Sequence, residues 1–455
     1  MNLLDALYLP AAVATAPWWA RKARGGWSER FGRVDDLPPP PVGRKRILLH
    51  AVSVGEVNTL RSLVPLLSRH ADVVVSVTTD TGLARAQALF AASKDGATAI
   101  HIVRYPLDFS LAVNRFLDAV KPDAVGLVEL ELWPNFVGEC SRRGIPMCII
   151  NGRLSARSFR GYHRFRSFFA RTFGAIEFAA VQDAAYAERF EAMGVRADHV
   201  RITGSMKWDS VNLDATVPGA DELATSLRIN REAPLIVAGS TAELPRPSAH
   251  SLYHAHRERF VAWRDADFSS LGEEALLHAS CPAGAQLLCA PRKPDRFDDA
   301  FLALGGPMHC VRRTLAHERP AHPAPPNRFL LDTIGELRAA YSFADIAVIG
   351  RSFGTLFGSD PIEPIALGIP TVIGPRFTDF ESIVEAFRKA GAIQVVTAGE
   401  LEPALTALLA DPQRRSEMAE AGRDCVHEHQ GATALHERML LDLVGGRPAA
   451  ATTAG

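Results

Sequence analysis

Residues 46–57, RILLHAVSVGEV, decide the fold of this chain. The apolar run predicts a buried β-strand, Gly55 predicts a turn, and Glu56 begins a helix. A strand that turns at a glycine into a helix is typical of a parallel sheet built from βαβ units. The same pattern recurs in both halves of the chain, in the segments VVVSVTTDTG (73–82), AIHIV (99–103), AVGLVEL (124–130), MCIING (147–152), FAAVQ (178–182), PLIVAGST (234–241), AQLLCAPRKPDRF (285–297), RFLLDTIGEL (328–337), ADIAVIG (344–350) and IPTVIGP (369–375). We therefore predict an α/β fold with two Rossmann-like domains of comparable size that face a cleft.

The overall composition is that of an ordinary globular protein. The chain has 455 residues, 47% of them hydrophobic and 22% charged, which excludes long disorder and fibrous repeats. At ~100–200 residues per domain, this length predicts two or three domains. Lys and Arg number 50 against 51 Asp and Glu, and this balance argues against nucleic-acid binding driven by net charge. The six cysteines form no C-x-x-C pair, which indicates core thiols in a reducing compartment.

The N-terminus carries the membrane signal of the sequence. Residues 6–20 are mostly apolar but interrupted by Pro10 and Pro17, and a membrane-spanning helix needs about 20 apolar residues. Two tryptophans and a basic cluster follow, as is typical at the headgroup level: Trp18, Trp19, Arg21, Lys22, Arg24, Arg30 and Arg33. We expect residues 1–36 to be a membrane-associated segment, monotopic or marginally inserted. The alternative is a buried N-terminal helix with a solvated basic end.

The rest of the chain divides into two predicted domains and a tail. We predict an N-terminal domain at 37–212, opened by a stiff proline-rich linker, and a C-terminal domain at 213–445. Residues 446–455 read as a disordered tail. Residues 242–271 break the strand–helix rhythm and are predicted to be an insertion. Its D-A-D motif and histidines could bind a metal, although a solvated surface segment is commoner.

Glu56 is the first candidate catalytic residue, because it follows a glycine turn at a strand end. A carboxylate at such a position could act as a general base. The alternative is a first-turn glutamate that complements the helix dipole.

Glu129 and Glu131 in VELELWPNF are a second pair of candidates. Their i, i+2 spacing predicts that they face the same side of one strand. Buried carboxylates need partners, and Lys207 or Arg153 could supply a structural ion pair instead of a functional one.

In the second half, several polar residues occur at strand-to-helix turns. Arg292 and Lys293 lie between two prolines, Glu336 is expected in the first turn of a helix, and Asp360 precedes Glu363 by three residues. Carboxylates accept ribose hydroxyls and helix N-termini hold phosphates, so this half is predicted to bind a nucleotide. A helix-capping role is the common alternative for each residue taken alone.

Taken in order, these segments resemble the Kdo (3-deoxy-D-manno-octulosonic acid) transferases of lipid A assembly, which have the GT-B glycosyltransferase fold. The resemblance runs from the anchor to the C-terminal helix, excepting the insertion and the tail. It is carried by HAVSVGEV, VTTDTG, VELELWPN, NGRLSARSFRGY, VQDAAYAERFEAMGV, TGSMKWD, AGST, APRKPDRF, DTIGEL and DPIEPIALGIPTVIGP.

The resemblance implies roles for individual residues. Glu56 matches the family's general base, and Glu129 and Lys207 match residues with transition-state roles. Three loops match those that line the CMP site; their residues are Pro291, Arg292, Ile334, Gly335, Glu336, Asp360, Pro361, Ile362 and Glu363.

The sequence also departs from the family pattern. Ser359 and Asp360 replace the usual His and Asn before the Pro, and Lys293 replaces a His. Asp360 places a negative charge near the expected CMP phosphate, which is unfavourable, although an aspartate still accepts hydrogen bonds.

The resemblance implies transfer of Kdo from CMP-Kdo to a lipid A precursor at the cytoplasmic face of the inner membrane, with CMP-Kdo as co-substrate and no cofactor or metal. The alternatives are another GT-B glycosyltransferase with a UDP- or ADP-sugar, a non-catalytic membrane-surface relative, and a UDP-sugar epimerase of the same architecture. The number of Kdo units added, the acylation of the acceptor, the role of the insertion and the oligomeric state stay open.

Overall fold

The computed structural model describes residues 5, 6, 8, 25–90, 100–213, 216–245, 272–317 and 326–446. The chain divides into two compact units. Unit 1 comprises Met1–Ser210 and His429–Gly455, and unit 2 comprises Val211–Glu428. Each unit is organised around one seven-stranded sheet in which all paired strands are parallel, which confirms the predicted α/β class.

Unit 1 has the strand order β3-β2-β1-β4-β5-β6-β7. Its strands are β1 (Arg46–Ala51), β2 (Asp72–Val77), β3 (Ile100–Arg104), β4 (Ala124–Val128), β5 (Met147–Gly152), β6 (Phe178–Val181) and β7 (Val200–Ile202). Its helices are α1 (Trp27–Arg30), α2 (Val54–Thr59), α3 (Leu63–Leu67), α4 (Asp80–Phe90), α5 (Ser110–Val120), α6 (Pro134–Arg142), α7 (Ala156–Arg164), α8 (Arg166–Phe173) and α9 (Ala184–Met193).

Unit 2 has the strand order β10-β11-β9-β8-β12-β13-β14. Its strands are β8 (Leu235–Thr241), β9 (Gln286–Pro291), β10 (Cys310–Arg312), β11 (Arg328–Leu330), β12 (Ile346–Ile349), β13 (Thr371–Ile373) and β14 (Ile393–Val395). Its helices are α10 (Ala220–Leu227), α11 (Glu273–Ser280), α12 (Phe297–Ala303), α13 (Gly306–His309), α14 (Leu337–Tyr341), α15 (Ile362–Ala366), α16 (Glu381–Ala390), α17 (Leu401–Ala410) and α18 (Pro412–His429). A last helix, α19 (Ala432–Val444), follows in unit 1.

The apolar strands supply the cores on both faces of each sheet. Strand β1 is buried along its whole length between β2 and β4. The chain order of the strands reverses between β1 and β4, and in unit 2 it reverses between β8 and β12. Ligands of open parallel sheets bind beyond the carboxyl ends of the strands at such a reversal. The loops that follow these four strands are therefore the places where a site is expected.

The division of the chain differs from the prediction at its C-terminal end. The boundary between the units lies at 210/211, close to the predicted 212/213, but α19 belongs to unit 1 and not to the C-terminal domain. Its Met439 and Leu440 are buried in the apolar cluster that includes β1 and β2. A helix with an apolar face packs wherever an uncovered sheet surface exists, and chain order does not say which sheet that is.

Part of the N-terminal segment packs against α5 and α6 within unit 1. The carboxylate of Asp5, 3% exposed, accepts hydrogen bonds from Ser110 N (2.9 Å) and Asn135 Nδ2 (3.2 Å). Tyr8 donates to Asp108 Oδ2 (3.3 Å). Asp5 thus caps α5, whose own N-cap residue, Phe109, provides no side-chain acceptor.

Most of the predicted membrane-associated segment lies outside the described residues. Within the part of the chain that is described, no helix combines the length and the apolar character needed to cross a bilayer.

The predicted insertion also lies largely outside the described residues, because 246–271 are not among them. Its two ends are adjacent: Glu243 and Gly272 form an isolated antiparallel bridge, and Glu273 N donates to Ala242 O at 2.8 Å. The described residues on the two sides of the predicted insertion are therefore held directly beside each other.

Candidate active site

Glu56 lies at the start of α2, directly beyond the carboxyl end of β1. Its two carboxylate oxygens accept hydrogen bonds from Val52 N (2.7 Å) and Ser53 Oγ (2.8 Å), and Ser53 is the N-cap of the helix. Glu56 therefore fits both the helix-capping interpretation and the general-base interpretation, since a carboxylate has about four acceptor positions and these hydrogen bonds do not fill all of them. Burial raises the pKa of Glu56 to about 7, assisted by the negative charge of Glu129. A carboxyl with a pKa near neutrality is suited to general-base catalysis.

Glu129 and Glu131 lie beyond the end of β4, next to β1 in the sheet. The prediction that they share one strand face is wrong, because β4 ends at Val128 and Glu129 has a left-handed backbone (φ 59°). The alternation of side chains requires an extended backbone, which a left-handed residue interrupts. Glu131 accepts a hydrogen bond from Trp133 Nε1 (3.0 Å). Its pKa is raised to about 7 by burial and then by the charges of Glu56 and Glu129. The structure thus groups all three candidate carboxyls, including Glu131, to which the family resemblance gave no role.

Lys207 lies in the loop that follows β7, at the same edge of the sheet. The preceding residue, Met206, donates its backbone N–H to Asn151 Oδ1 (3.0 Å) at the end of β5. Asn151 is itself left-handed (φ 52°), and its N–H donates to His436 Nε2 of α19 (2.9 Å). The position of the Lys207 loop is therefore tied to the last helix of the chain.

Asp209 fastens the same loop to the start of α19. Its carboxylate accepts from Gly431 N and Thr433 N, both at 2.6 Å. His436 is fully buried, and its Nδ1 donates to Ala432 O (2.7 Å), so its Nε2 is the acceptor for Asn151. Burial lowers the pKa of His436 to about 4, which keeps the ring neutral.

The nucleotide candidates all lie in unit 2, at the carboxyl edge of its sheet. Ile334 and Gly335 form an exposed turn in which Gly335 has φ 100°. Glu336 is the N-cap residue of α14, one position before the first turn where it was predicted, and accepts hydrogen bonds from Arg313 NH2 (2.9 Å) and Thr333 Oγ1. Burial opposes ionisation of Glu336, but these hydrogen bonds outweigh it and hold its pKa below the usual value.

The segment Asp360–Glu363 forms the start of α15. Asp360 Oδ1 accepts from Ile362 N (3.0 Å), which closes a tight turn around Pro361, and Glu363 lies 3.8 Å from Arg338. The hydroxyl of the neighbouring Ser359 is buried without a hydrogen-bond partner in the described structure. A buried unsatisfied hydroxyl is uncommon and is consistent with a ligand group that would complete it.

Pro291 ends β9 and Arg292 follows it. Arg292 N donates to Thr241 O (3.0 Å), which fixes the backbone beside the end of β8. The pKa of Arg292 is lowered by desolvation and by the positive charge of Arg351. A second arginine therefore lies near the one identified from the sequence.

A family model described as 3-deoxy-D-manno-octulosonic-acid transferase (Kdo transferase) matches residues 25–210. The 3-deoxy-D-manno-octulosonic acid transferase of Haemophilus influenzae is 30% identical over 424 residues, which cover 92% of this chain and 90% of the relative. That of Bordetella pertussis is 31% identical over 435 residues, 94% of each chain. The chain belongs to the Kdo transferase family.

Family membership makes the chain a glycosyltransferase and removes the non-catalytic and epimerase alternatives. Among solved structures, the Anabaena protein Alr3699/HepE in complex with UDP and glucose has a TM-score of 0.54 at 12% identity, covering 88% of this chain and all of that chain. This likeness confirms the GT-B-like fold and carries no information on the donor.

The sequence did not reveal four residues that shape the loops of the candidate site. Asn151 and His436 hold the Lys207 loop, and Glu273 and Arg351 shape the loop after β12. One signal was visible, namely two adjacent glutamates at the start of the otherwise apolar helix GEEALLHAS (272–280). Buried acids in such a context must be hydrogen-bonded, which predicts a structural anchor.

Proposed function

We propose that the protein transfers Kdo from CMP-Kdo to a hydroxyl of a lipid A precursor, of the lipid IV-A type, in lipopolysaccharide core biosynthesis. The observation that carries the proposal is the Glu56 carboxyl, whose pKa is about 7 and which lies beside two further carboxyls at the carboxyl edge of the unit 1 sheet. Membership of the Kdo transferase family supports the donor and the reaction class.

The proposed chemistry is a single displacement at the anomeric carbon of Kdo. The acceptor oxygen forms the new glycosidic bond, its proton goes to Glu56, and the bond from the anomeric carbon to the CMP phosphate oxygen breaks with its electron pair staying on CMP. An acceptor hydroxyl is a weak nucleophile, so removal of its proton lowers the barrier. Arg292 stabilises the charge that develops on the leaving phosphate, and Lys207 is the proposed partner of the Kdo carboxylate. The family resemblance implies inversion at that carbon.

No metal ion takes part in the proposed scheme, because arginine and helix N-termini stabilise the leaving group. We expect Kdo transfer to proceed at an unchanged rate after dialysis against EDTA. A loss of activity that Mg²⁺ restores would contradict the metal-free scheme.

The acceptor is a membrane lipid, and we propose that the enzyme acts at the cytoplasmic face of the inner membrane. Besides the N-terminal segment, helices α7 and α8 support this proposal. No residue of α7 is buried, Phe165 and Phe168 are 60% and 48% exposed, and the stretch 140–176 contains no acidic residue. Its helices carry the arginines Arg157, Arg160, Arg164, Arg166 and Arg171. Exposed aromatic rings beside clustered arginines are suited to an anionic lipid surface.

The decisive experiment is an in vitro transfer reaction. Purified full-length protein, CMP-Kdo and a tetraacylated lipid A precursor in phosphatidylglycerol-containing vesicles should yield a lipid whose mass has increased by one or more Kdo units, together with stoichiometric CMP. Parallel reactions with UDP- and ADP-sugars test the other donors. Transfer from one of these and not from CMP-Kdo would overturn the proposal.

The membrane surface can be tested separately from the chemistry. We expect the double variant F165S/F168S to sediment less with vesicles that contain phosphatidylglycerol. The matched control is L302S/L315S, which removes two similarly exposed apolar side chains from unit 2. Equal sedimentation of both variants and the unmodified protein would show that α7 and α8 do not contact lipid.

A further inference from the structure

Two arginines meet where the loops after β9, β8 and β12 converge in unit 2. Strand β8 lies between the other two in the sheet. Arg292, after β9, donates its backbone N–H to Thr241 O of β8 (3.0 Å), and Gly350, after β12, donates to Gly239 O of β8 (2.8 Å). A Cβ atom at Gly350 would lie 2.6 Å from Ser240 O, so these backbones are in close contact. Arg351 follows Gly350 directly. The junction of these three loops, which carries Arg292 and Arg351, is called the corner below.

Arg351 has an unfavourable backbone conformation that the surrounding structure imposes. Its φ of 60° is in the left-handed region, which disfavours a residue with a side chain. The buried carboxylate of Glu273, 1% exposed, holds this loop by accepting from Arg351 N (2.6 Å), Ser352 N (2.9 Å) and Phe353 N (2.9 Å). A glycine would adopt this conformation without strain, so the arginine is explained by its side chain and not by its backbone.

Among the residues that the structure describes, the two guanidinium groups have no acidic partner. Over the described parts of the chain, neither Arg292 nor Arg351 forms an ion pair or donates a side-chain hydrogen bond, whereas the neighbouring Lys293 lies 3.8 Å from Glu243. Desolvation and, after it, the positive charge of Arg351 lower the pKa of Arg292, so each arginine lies in the field of the other. Two unpaired like charges in one corner are unfavourable until an anion binds between or beside them.

We propose that Arg351 is a second anion-binding residue of the donor site, which acts with Arg292 on the negatively charged groups of the sugar nucleotide. The inference rests on the proposed CMP-Kdo donor and deepens it, because this donor carries two separate negative groups, a phosphodiester and a sugar carboxylate. Two arginines match two such groups, and guanidinium binds phosphate and carboxylate in the same bidentate way. Arg351 is thereby a specificity residue that favours donors with an acidic sugar or a charged phosphate over neutral nucleosides.

The test uses Arg351→Gly, because this change removes the side chain and the backbone strain together. We expect the KM for CMP-Kdo to rise by about 10- to 100-fold, as for the loss of a charge-assisted hydrogen bond. The Tm should stay equal or increase, because glycine relieves the positive φ. Arg351→Lys should restore part of the affinity. A structural role would instead lower the Tm and the binding together.

Arg228→Gly is the matched control. Arg228 ends α10 in unit 2 with φ 59°, so this variant relieves the same strain away from the proposed corner. We expect the same change in Tm and an unchanged KM.

Binding measurements with three ligands identify which negatively charged group of the donor Arg351 contacts. Binding of CMP-Kdo, CMP and cytidine is measured by calorimetry for the unmodified protein and for Arg351→Gly. Weakened binding of CMP-Kdo alone assigns Arg351 to the sugar carboxylate, and weakened binding of both CMP-Kdo and CMP assigns it to the phosphate. Unchanged affinity for both, or an equal loss for cytidine, overturns the inference. If the unmodified protein binds neither CMP-Kdo nor CMP, the proposed function itself fails.

Discussion

At the scale of single residues, backbone strain concentrates where the candidate site residues lie. Four of the non-glycine residues with positive φ occur at the carboxyl ends of strands, namely Glu129, Asn151, Ser240 and Arg351. Such conformations cost of order 1–3 kcal/mol each and persist only when neighbouring groups enforce them. In this chain the enforcing groups are identified for two of them, because His436 holds Asn151 and Glu273 holds Arg351.

The assignment of Glu56 as the base leads to a prediction for Glu56→Gln. The amide oxygen can still accept from Val52 N, so the fold should be retained, while kcat should fall by about 10²–10⁴-fold. In the unmodified enzyme the rate should rise with pH and level off above about 7, because the base must be ionised. The pKa of Glu56 is higher in the folded protein than in the unfolded chain, so ionisation of this carboxyl lowers the free energy of unfolding as the pH rises toward 7. Glu56→Gln has no such group to ionise, and we therefore expect it to be at least as stable as the unmodified protein at pH 8.

The measurement for Glu56 is a pH–rate profile of Kdo transfer alongside thermal unfolding. Glu381→Gln, an exposed first-turn glutamate of α16, is the control and should leave both unchanged. Full activity in Glu56→Gln would exclude Glu56 as the base.

The variant Glu129→Gly distinguishes the energetic cost of the left-handed backbone at Glu129 from the contribution of its carboxylate to catalysis. Glycine adopts φ 59° without penalty, so we expect the free energy of unfolding to rise by up to about 1 kcal/mol. Transfer activity should nevertheless fall by at least tenfold, because the carboxylate is lost. Chemical denaturation and initial rates measure the two effects, and a stabilised variant with normal activity would remove Glu129 from the catalytic residues.

At the scale of elements, the sequence predicted eleven of the fourteen strands in the described residues and missed three that are both short and at a sheet edge. Strands β7, β10 and β14 each have three residues and lie at sheet edges. Three residues contain too few apolar positions to show a period, and an edge strand buries only part of its surface. The sequence also placed Glu129 and Glu131 on a strand. No sequence pattern marks Glu129 as the left-handed residue that follows the end of β4.

The paired ends of the insertion predict that it can be removed. Replacement of residues 246–271 by a four-residue Gly-Ser linker should leave the Tm of unit 2 within a few degrees, because the Glu243–Gly272 bridge and the buried Glu273 carboxylate already close the chain there. The control replaces Glu273 by Ala in the full chain and should lower the Tm clearly, since it leaves buried backbone N–H groups unpaired. Unfolding of the shortened protein at room temperature would contradict this prediction.

At the scale of the whole molecule, unit 1 is built from both ends of the chain. Helix α19 places Leu440, which is fully buried, against the sheet, and it fixes the Lys207 loop through Asp209 and Asn151. The family resemblance assigned candidate catalytic positions from local motifs. It did not identify this support, because contacts between residues 285 positions apart, such as Asn151 and His436, leave no local pattern in a single sequence.

Truncation after Glu428 should therefore damage the N-terminal unit. Loss of α19 uncovers an apolar face of the sheet, and even Leu440→Ala alone should cost about 2–5 kcal/mol. We expect the truncated protein to aggregate, whereas truncation after Gly446 should behave like the full chain. Size-exclusion chromatography and proteolysis of both proteins provide the measurement. A soluble, protease-resistant protein ending at Glu428 would show that α19 is dispensable.

The return of α19 to unit 1 also sets an order of events during synthesis. The first 210 residues leave the ribosome early, but the helix that covers their sheet follows only after all of unit 2 has been translated. At about 5–20 residues per second, this interval lasts on the order of tens of seconds. During that time the nascent unit 1 exposes apolar surface and its Lys207 loop lacks its anchor. Unit 1 therefore completes its apolar core and anchors the Lys207 loop only after unit 2 has been translated, and a chain terminated before α19 leaves that apolar surface exposed.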